Sequence, residues 1–402
     1  MTYALECGGM EKSILKLALV AIELGHEVSL LTTEHPGIWF EKFKAAGISV
    51  SHARKHPLGG VFHVFRIART LRRLRADIVI LFHARLAQAG LRMLNRSTVV
   101  VPTVRLHDES IYRIALANSE CWNVILCNSP ALVKEVERRC SQAKSVCIPN
   151  RVDLPDEGKV GQRVGFGIQT DVLFVGRLVE HKGVRLLPRI LSECLSLNLN
   201  VRLKIVGDGE LLEWLRAEIV IRKLGDHVQL FGRRSSSEVL QHYCDSHILL
   251  LPTYAEGMPN VVLEALAHGC VPVVTRLNGV TDSIVKDGKS GFLVATGSVS
   301  GFVRAIRMLS ADGALWRQLS ATGIQDVREN HSSTRLKDDY ATFFAQIQQN
   351  RFGKLHRSTP ALPVCLQLLR MGDFIPDVIK YLGRPIRRRL PAKLGGLHLG
   401  GA

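Results

Sequence analysis

Residues 254–274 read YAEGMPNVVLEALAHGCVPVV. The missing N–H of Pro259 would have no partner in the first turn of a helix anyway, so a helix is expected to begin at about Pro259. VPVVT (271–275) follows as a buried strand. Glu256 stands in the turn ahead of the helix, beside Gly257 and Met258, and Glu264 stands roughly a turn and a half inside it. The unpaired backbone amides around Met258, Asn260 and Val261 point out of the positive end of that helix, where a phosphate fits. A carboxylate on the loop can accept hydrogen bonds from sugar hydroxyls, and one inside the helix can meet a different part of the same ligand. Two such acceptors flanking an anion site describe a nucleotide sugar: hexose at one end, diphosphate in the middle, ribose at the other. A single glutamate is more often a solvated helix face, but the whole constellation is not.

Outward from this stretch, helices and short buried strands alternate through the chain. EVSLLTT (27–33), DIVILF (77–82), STVVVPTV (97–104), NVILCN (123–128) and SVCIPN (145–150) read as strands, and Glu11 to Leu24 as a helix stopped at Gly25-His26. After Asn150 the pattern breaks into a polar linker. It restarts with DVLFVG (171–176), VRLKIVG (201–207), HVQLFG (227–232) and HILLLP (247–252). Such alternation predicts an α/β protein with parallel, doubly wound sheets. Two blocks joined by one linker predict two Rossmann-like domains facing across a cleft, with the ligand beyond the carboxyl ends of the strands. The expected division is 1–152, 153–335, a helix at 336–352 returning to the first domain, and a basic extension at 353–402. Only MTYALE precedes Cys7-Gly8-Gly9, too little for a full first strand. Either a stunted strand or a start upstream is expected, and the second fits the pattern better.

The 402 residues suit two domains, and no run of about 18 uncharged apolar residues predicts a transmembrane helix. The N-terminus has no basic segment followed by a long apolar one, so no secretory signal is read. Nine scattered cysteines, with no C-x-x-C pair, argue against a disulfide framework or a zinc site and suit a reducing cytoplasm. A dinucleotide oxidoreductase is disfavoured, because GGMEK is not G-x-G-x-x-G.

FVGRLVEHKG (174–183) leaves a strand, turns at Gly176 and supplies Arg177 and Lys182 in one loop. A guanidinium fork and an ammonium placed there suit the charge of a leaving diphosphate. With IPNRVD (148–153), LKIVGDGEL (203–211), VQLFGRRSSSEV (228–239) and DGKSGFLV (287–294), this segment and the opening stretch resemble the family 4 glycosyltransferases of GT-B fold, including the spacing of their two glutamates. The resemblance covers roughly residues 3–350 and is stronger in the second domain. It implies a retaining, metal-independent transferase without cofactor, taking a UDP- or GDP-sugar to a glycan or lipid-linked acceptor. It assigns Glu256 to the donor sugar, Glu264 to the ribose, and Arg177 and Lys182 to the diphosphate. Gly8 and Gly9 of CGGMEK resemble the family's glycine loop, and His107 of TVRLHD the histidine near the transferred sugar; His83 is a weaker candidate. The resemblance further implies a front-face displacement in which the leaving phosphate takes the acceptor proton. One departure is Arg151, where the family usually has glycine. The other reading kept open is a catalytically impaired nucleotide-sugar or glycan-binding protein.

The net charge of +17 is concentrated. Residues 51–100 hold ten Lys/Arg against one Asp and residues 351–402 ten against two, and the remainder is neutral. FHVFRIARTLRRLRAD (62–77) reads as an amphipathic basic helix, and residues 382–393 add a second basic segment. Both together suggest a cytoplasmic enzyme peripheral to an anionic inner leaflet, where lipopolysaccharide and other cell-surface polysaccharides are assembled. The alternative is a packed helix with a solvated basic face. Nucleic acid is excluded as a partner, since no recognition motif accompanies the charge.

Overall fold

Parallel strands buried on both faces show in sequence as unbroken apolar runs. Each of the runs above forms a strand in the computed structural model, which describes residues 1–6, 8–54, 60–94, 97–155 and 169–353. In chain order the strands are β1 (Ser29–Thr32), β2 (Ser49–His52), β3 (Ile78–Leu81), β4 (Val99–Val104), β5 (Ile125–Cys127), β6 (Ser145–Cys147), β7 (Thr170–Val175), β8 (Val201–Val206), β9 (Val228–Gly232), β10 (Ile248–Leu251), β11 (Val271–Thr275) and β12 (Phe292–Val294). The C-terminal half is one six-stranded sheet, ordered β12-β11-β10-β7-β8-β9. The N-terminal half has a four-stranded sheet, β3-β4-β5-β6, and a separate pair, β1-β2. All these pairings are parallel.

The MTYALE segment lies in the gap between β1 and β3. Thr2 alone bridges Thr32 on one side and Phe82 on the other, and it is wholly buried. A single bridged residue thus stands where a first strand would run. β2 and β12 escaped the sequence reading. Both are short edge strands, and SVSH carries only one aliphatic residue.

The six-stranded sheet is enclosed by one continuous core that includes Leu173, Phe174, Leu249, Leu250 and Val273. The N-terminal half has two cores. One holds Val64, Ile67, Val100 and Tyr112; the other holds Leu5, Phe43 and Leu126. The second is completed by Tyr340, Phe343 and Phe344 of the helix Leu336–Gln348, so the end of the described chain packs on its beginning. Among the described residues the chain therefore crosses between the halves twice, near Val152 and near Ser332. The two crossings lie side by side, with the Val152 amide donating to the His331 carbonyl and the Ser333 amide to the Val152 carbonyl, each at 2.9 Å.

The basic helix forms as Gly60–Leu74. Val64, Ile67, Ala68 and Leu71 are buried, so Leu71 belongs to the core face and not to the outer one. Phe62, Phe65 and Leu74 stay exposed at 47%, 44% and 43%, interleaved with exposed Arg66, Arg69, Arg72 and Arg73. Among the described residues no helix is long and apolar enough to cross a membrane. Residues 382–393 lie outside the described residues.

Candidate active site between the two halves

The loops after β7 and β10 are stitched together by backbone. The His181 carbonyl accepts from Thr253 Oγ1 at 2.8 Å and from the Tyr254 amide at 2.7 Å. Gly183 (φ +70°) closes the turn Glu180–Lys182, and a Cβ there would stand 1.9 Å from the Pro252 carbonyl oxygen. Only glycine allows this approach. The stitching brings Lys182 to Glu256, with Nζ 2.6 Å from Oε1 and only 18% and 7% of the two side chains exposed. Arg177 is exposed, and its side chain makes no hydrogen bond or ion pair among the described residues. Its charge reaches Tyr3 and Glu11 of the opposite half; burial raises the Glu11 pKa, and Arg177 opposes that rise.

The helix after Glu256 spans Asn260–Ala267, with Pro259 as its N-cap. It thus begins one residue later than the reading of Pro259 as a first-turn residue, because Pro259 keeps an extended ψ of 108°. No side chain caps it, nor the helix Gly9–Glu23, whose N-cap is Gly8. The two uncapped ends meet where Asn260 Nδ2 donates to the Gly9 carbonyl at 3.3 Å. Unpaired amides at two helix starts make this an electropositive place.

Glu264 is buried, with 10% of its side chain exposed. Lys12 Nζ donates to its Oε1 at 2.7 Å and the Tyr243 hydroxyl to its Oε2 at 3.2 Å. Burial, then the nearby Glu264 charge, drives the Tyr243 pKa well above its usual value.

Gly257 lies close against the N-terminal half. A Cβ on it would lie 1.9 Å from the Arg105 carbonyl oxygen. This sets the loop after β4, Arg105 to Asp108, against the glutamate loop. His107 is exposed there, its Nδ1 2.8 Å from the Tyr112 hydroxyl. Asp108 caps the helix Glu109–Leu116 by accepting from the Ser110 and Ile111 amides. Its pKa is depressed, first by the Ser110 side-chain hydrogen bond. His181 lies between the charges of Lys182, Glu256, Arg177 and Asp108, and its pKa is lowered mainly by burial. His83 sits behind the loop, beside Gln88, Thr103 and Ile111. Among the described residues its buried Nε2 has no partner, and burial pushes its pKa down to about 4.

One more row of contacts ties the loops to the linker. Arg105 Nη2 donates to Asn150 Oδ1 at 2.7 Å, and Asn150 Nδ2 donates to the Met258 carbonyl at 2.9 Å. Arg151 binds Asp339 at 2.6 Å and the Asn330 carbonyl at 2.7 Å, holding both elements of the second crossing.

Of the residues picked from sequence, the structure brings together Glu256, Lys182, Gly257, Met258, Asn260, Gly9 and the His107 loop, with Glu264 one helical turn further in. Gly176 stands at the end of β7, where a Cβ would meet only the Phe174 ring at an ordinary 3.5 Å. Lys12, Tyr243, Arg105 and Asn150 were missed. Lys12, Arg105 and Asn150 stood inside the quoted CGGMEK, TVRLHD and IPNRVD motifs, but nothing in a motif states a partner that lies outside it in another motif. Among the described residues no group of three or more His, Cys, Asp or Glu side chains is placed to hold a metal ion.

Two α/β halves with parallel sheets, meeting at glycine-containing loops and helix N-termini, define a GT-B glycosyltransferase. The family described as Glycosyltransferase Family 4 matches residues 7–155, and Glycosyl transferases group 1 matches residues 165–326. The chain belongs to this family of nucleotide-sugar-dependent glycosyltransferases. It is 24% identical over 343 residues to the lipopolysaccharide core biosynthesis glycosyltransferase LpsE of Rhizobium meliloti, covering 84% of this chain and 96% of that one. Its fold is similar to that of Anabaena HepE, solved with UDP and glucose, at a TM-score of 0.70 and 17% identity over 86% of this chain and all of HepE. It is also similar to the longer TarM of S. aureus, solved with UDP, of which it spans 59%, at a TM-score of 0.62, 15% identity and 70% of this chain.

Proposed function

We propose that the chain is a retaining, metal-independent hexosyltransferase that moves a sugar from a UDP- or GDP-sugar to a glycan or lipid-linked acceptor in cell-surface polysaccharide or lipopolysaccharide assembly. The observation that carries this reading is the Lys182–Glu256 pair, buried at the foot of an uncapped helix and facing the Arg105–Asp108 loop. In this reading Glu256 accepts hydroxyls of the donor hexose, while Lys182, Arg177 and the amides of Asn260 and Val261 receive the diphosphate. Gly257, Met258, Pro259 and Gly176 shape that cradle, and Gly8 and Gly9 close it from the N-terminal half. Glu264 takes the ribose, and His107 lies over the transferred sugar. The acceptor oxygen bonds to the anomeric carbon on the face from which the phosphate leaves. The carbon–phosphate oxygen bond breaks, and the departing phosphate oxygen takes the acceptor proton. Fixed positive charge then meets negative charge as it develops on the leaving group.

The exposed face of the helix Gly60–Leu74 supports work at a membrane surface. Two phenylalanines and a leucine among four arginines suit insertion beside anionic headgroups on the cytoplasmic side. The likeness to LpsE supports a surface-glycan acceptor.

The test is a thermal-shift screen against UDP-, GDP-, ADP- and TDP-sugars, followed by transfer from the binding donor to lipid-linked acceptors in anionic vesicles. A bound donor raises the melting point by mass action. Binding by one donor class with retained anomeric configuration in the product supports the reading. Binding without transfer to any acceptor favours a binding protein.

A further inference from the structure

Glu264 belongs to the C-terminal half, yet one of the two groups fixing its carboxylate comes from the other half. Tyr243, fully buried, donates to Oε2 from within the C-terminal half, and Lys12 donates to Oε1 across the cleft. Lys12 lies in the first turn of the helix Gly9–Glu23, close to where Asn260 Nδ2 reaches the Gly9 carbonyl. Its ammonium exists at the site only while these two helix starts stay in contact.

A carboxylate offers about four acceptor positions on its two oxygens. Lys12 and Tyr243 occupy one on each oxygen, which leaves one on each for a pair of neighbouring hydroxyls. A ribose presents its 2′- and 3′-hydroxyls as such a pair. The two donors also fix the rotation of the carboxylate, so the remaining lone pairs hold one direction, and the ammonium supplies the opposite charge that a buried carboxylate needs. Losing Lys12 leaves Glu264 held at one oxygen only.

We propose that Lys12 is the positioning residue through which Glu264 recognises the donor ribose, so that ribose recognition is complete only when the two halves are closed on each other. The proposal rests on the reading of Glu264 as the ribose acceptor and adds the dependence of that acceptor on the opposite half.

The test measures binding of UDP, GDP, 2′-deoxy-UDP and 2′-deoxy-GDP to the full chain by titration calorimetry. The unaltered chain should prefer the ribonucleotide by about tenfold or more, since a hydrogen bond to a charged group contributes about 1.5–3 kcal/mol. Lys12→Met keeps the stem length and the helix propensity but removes the charge. It should reduce the preference to within about twofold while barely changing deoxynucleotide binding. Lys12→Arg should restore the preference, and Tyr243→Phe should lose part of it. Glu264→Gln is the reference for complete loss. If Lys12→Met keeps the preference and Glu264→Gln loses it, the ribose reading stands and the role of Lys12 is overturned. Equal weakening of both nucleotides by Lys12→Met also overturns it and makes Lys12 a phosphate contact. If the unaltered chain shows no preference, or Glu264→Gln leaves it intact, the ribose reading itself fails and the proposal with it.

Discussion

The two halves share a parallel α/β plan but are built to different tolerances. The C-terminal half has one sheet in one continuous core, and its loops are fixed by backbone contacts such as Gly183 against Pro252. The N-terminal half splits its strands into two sheets joined through Thr2 and divides its apolar residues between two cores. It also holds the exposed arginine helix and the partnerless imidazole nitrogen of His83. The difference separates two features: the half with one continuous core carries the Lys182–Glu256 ion pair, and the half with divided cores carries the exposed arginine helix, which the proposed function gives to donor and membrane respectively.

The sharpest way to break this division is to remove charge on each side. Lys182→Ala and Glu256→Ala should each lower transfer by about 10²–10³-fold, the usual cost of deleting one transition-state donor. Lys182→Ala should also lower the melting point, because it leaves the buried Glu256 carboxylate without its partner. His107→Ala should cost only about tenfold; a loss equal to that of Lys182→Ala, in a steady-state transfer assay, would move the chemistry into the N-terminal half. Next in size, replacing Arg69, Arg72 and Arg73 with Glu should weaken binding to anionic vesicles by a hundredfold or more, from about 1 kcal/mol per basic residue at the surface. Vesicle flotation reads it, and unchanged flotation returns the helix to a solvated basic face.

The pH dependence of stability tests one residue of the N-terminal half. His83 has its pKa lowered to about 4 in the folded chain, whereas an unfolded histidine titrates at about 6.5. The unfolded state takes up the proton first. Stability is therefore whole above about pH 6.5, falls as pH drops towards 4 and levels off below it, for a loss of roughly 3 kcal/mol at most. His83→Asn, which tolerates the positive φ of 49° at this position, should flatten that slope in denaturant titrations. A slope that persists assigns the acid sensitivity elsewhere. The smallest effects come from two glycines. Gly257→Ala must push the Arg105 carbonyl away and should cost about 1–3 kcal/mol of stability together with lost activity. Gly176→Ala meets only an ordinary contact with Phe174 and should leave stability nearly unchanged, with a smaller loss of transfer than Gly257→Ala.

What was legible in the sequence follows the same division. Strands such as LFV in DVLFVG and LLL in HILLLP could be read because both faces are buried, so no polar residue interrupts them. SVSH could not, since its residues are exposed or half-buried in alternation at a sheet edge. Glu256 and Lys182 were legible because turn residues fix their positions locally and the resemblance supplied roles for them. The contact of Lys12 with Glu264, and the row Arg105–Asn150–Met258, were not, because each depends on how two separately folded sheets come together. Arg151 was visible as a departure without a consequence. Its bonds to Asp339 and the Asn330 carbonyl supply one.

Those bonds lie where the chain passes from one half to the other at Val152 and again at Ser332, two passages pinned together by hydrogen bonds. Two rigid bodies joined by a single strand can twist, bend and swing about three axes. Joined by two adjacent strands clamped in register, they keep one easy rotation, as a door does on a pair of hinges. The contact of Gly257 with Arg105 lies close to that hinge, because Asn150, two residues before Val152, donates to the carbonyl of the neighbouring Met258.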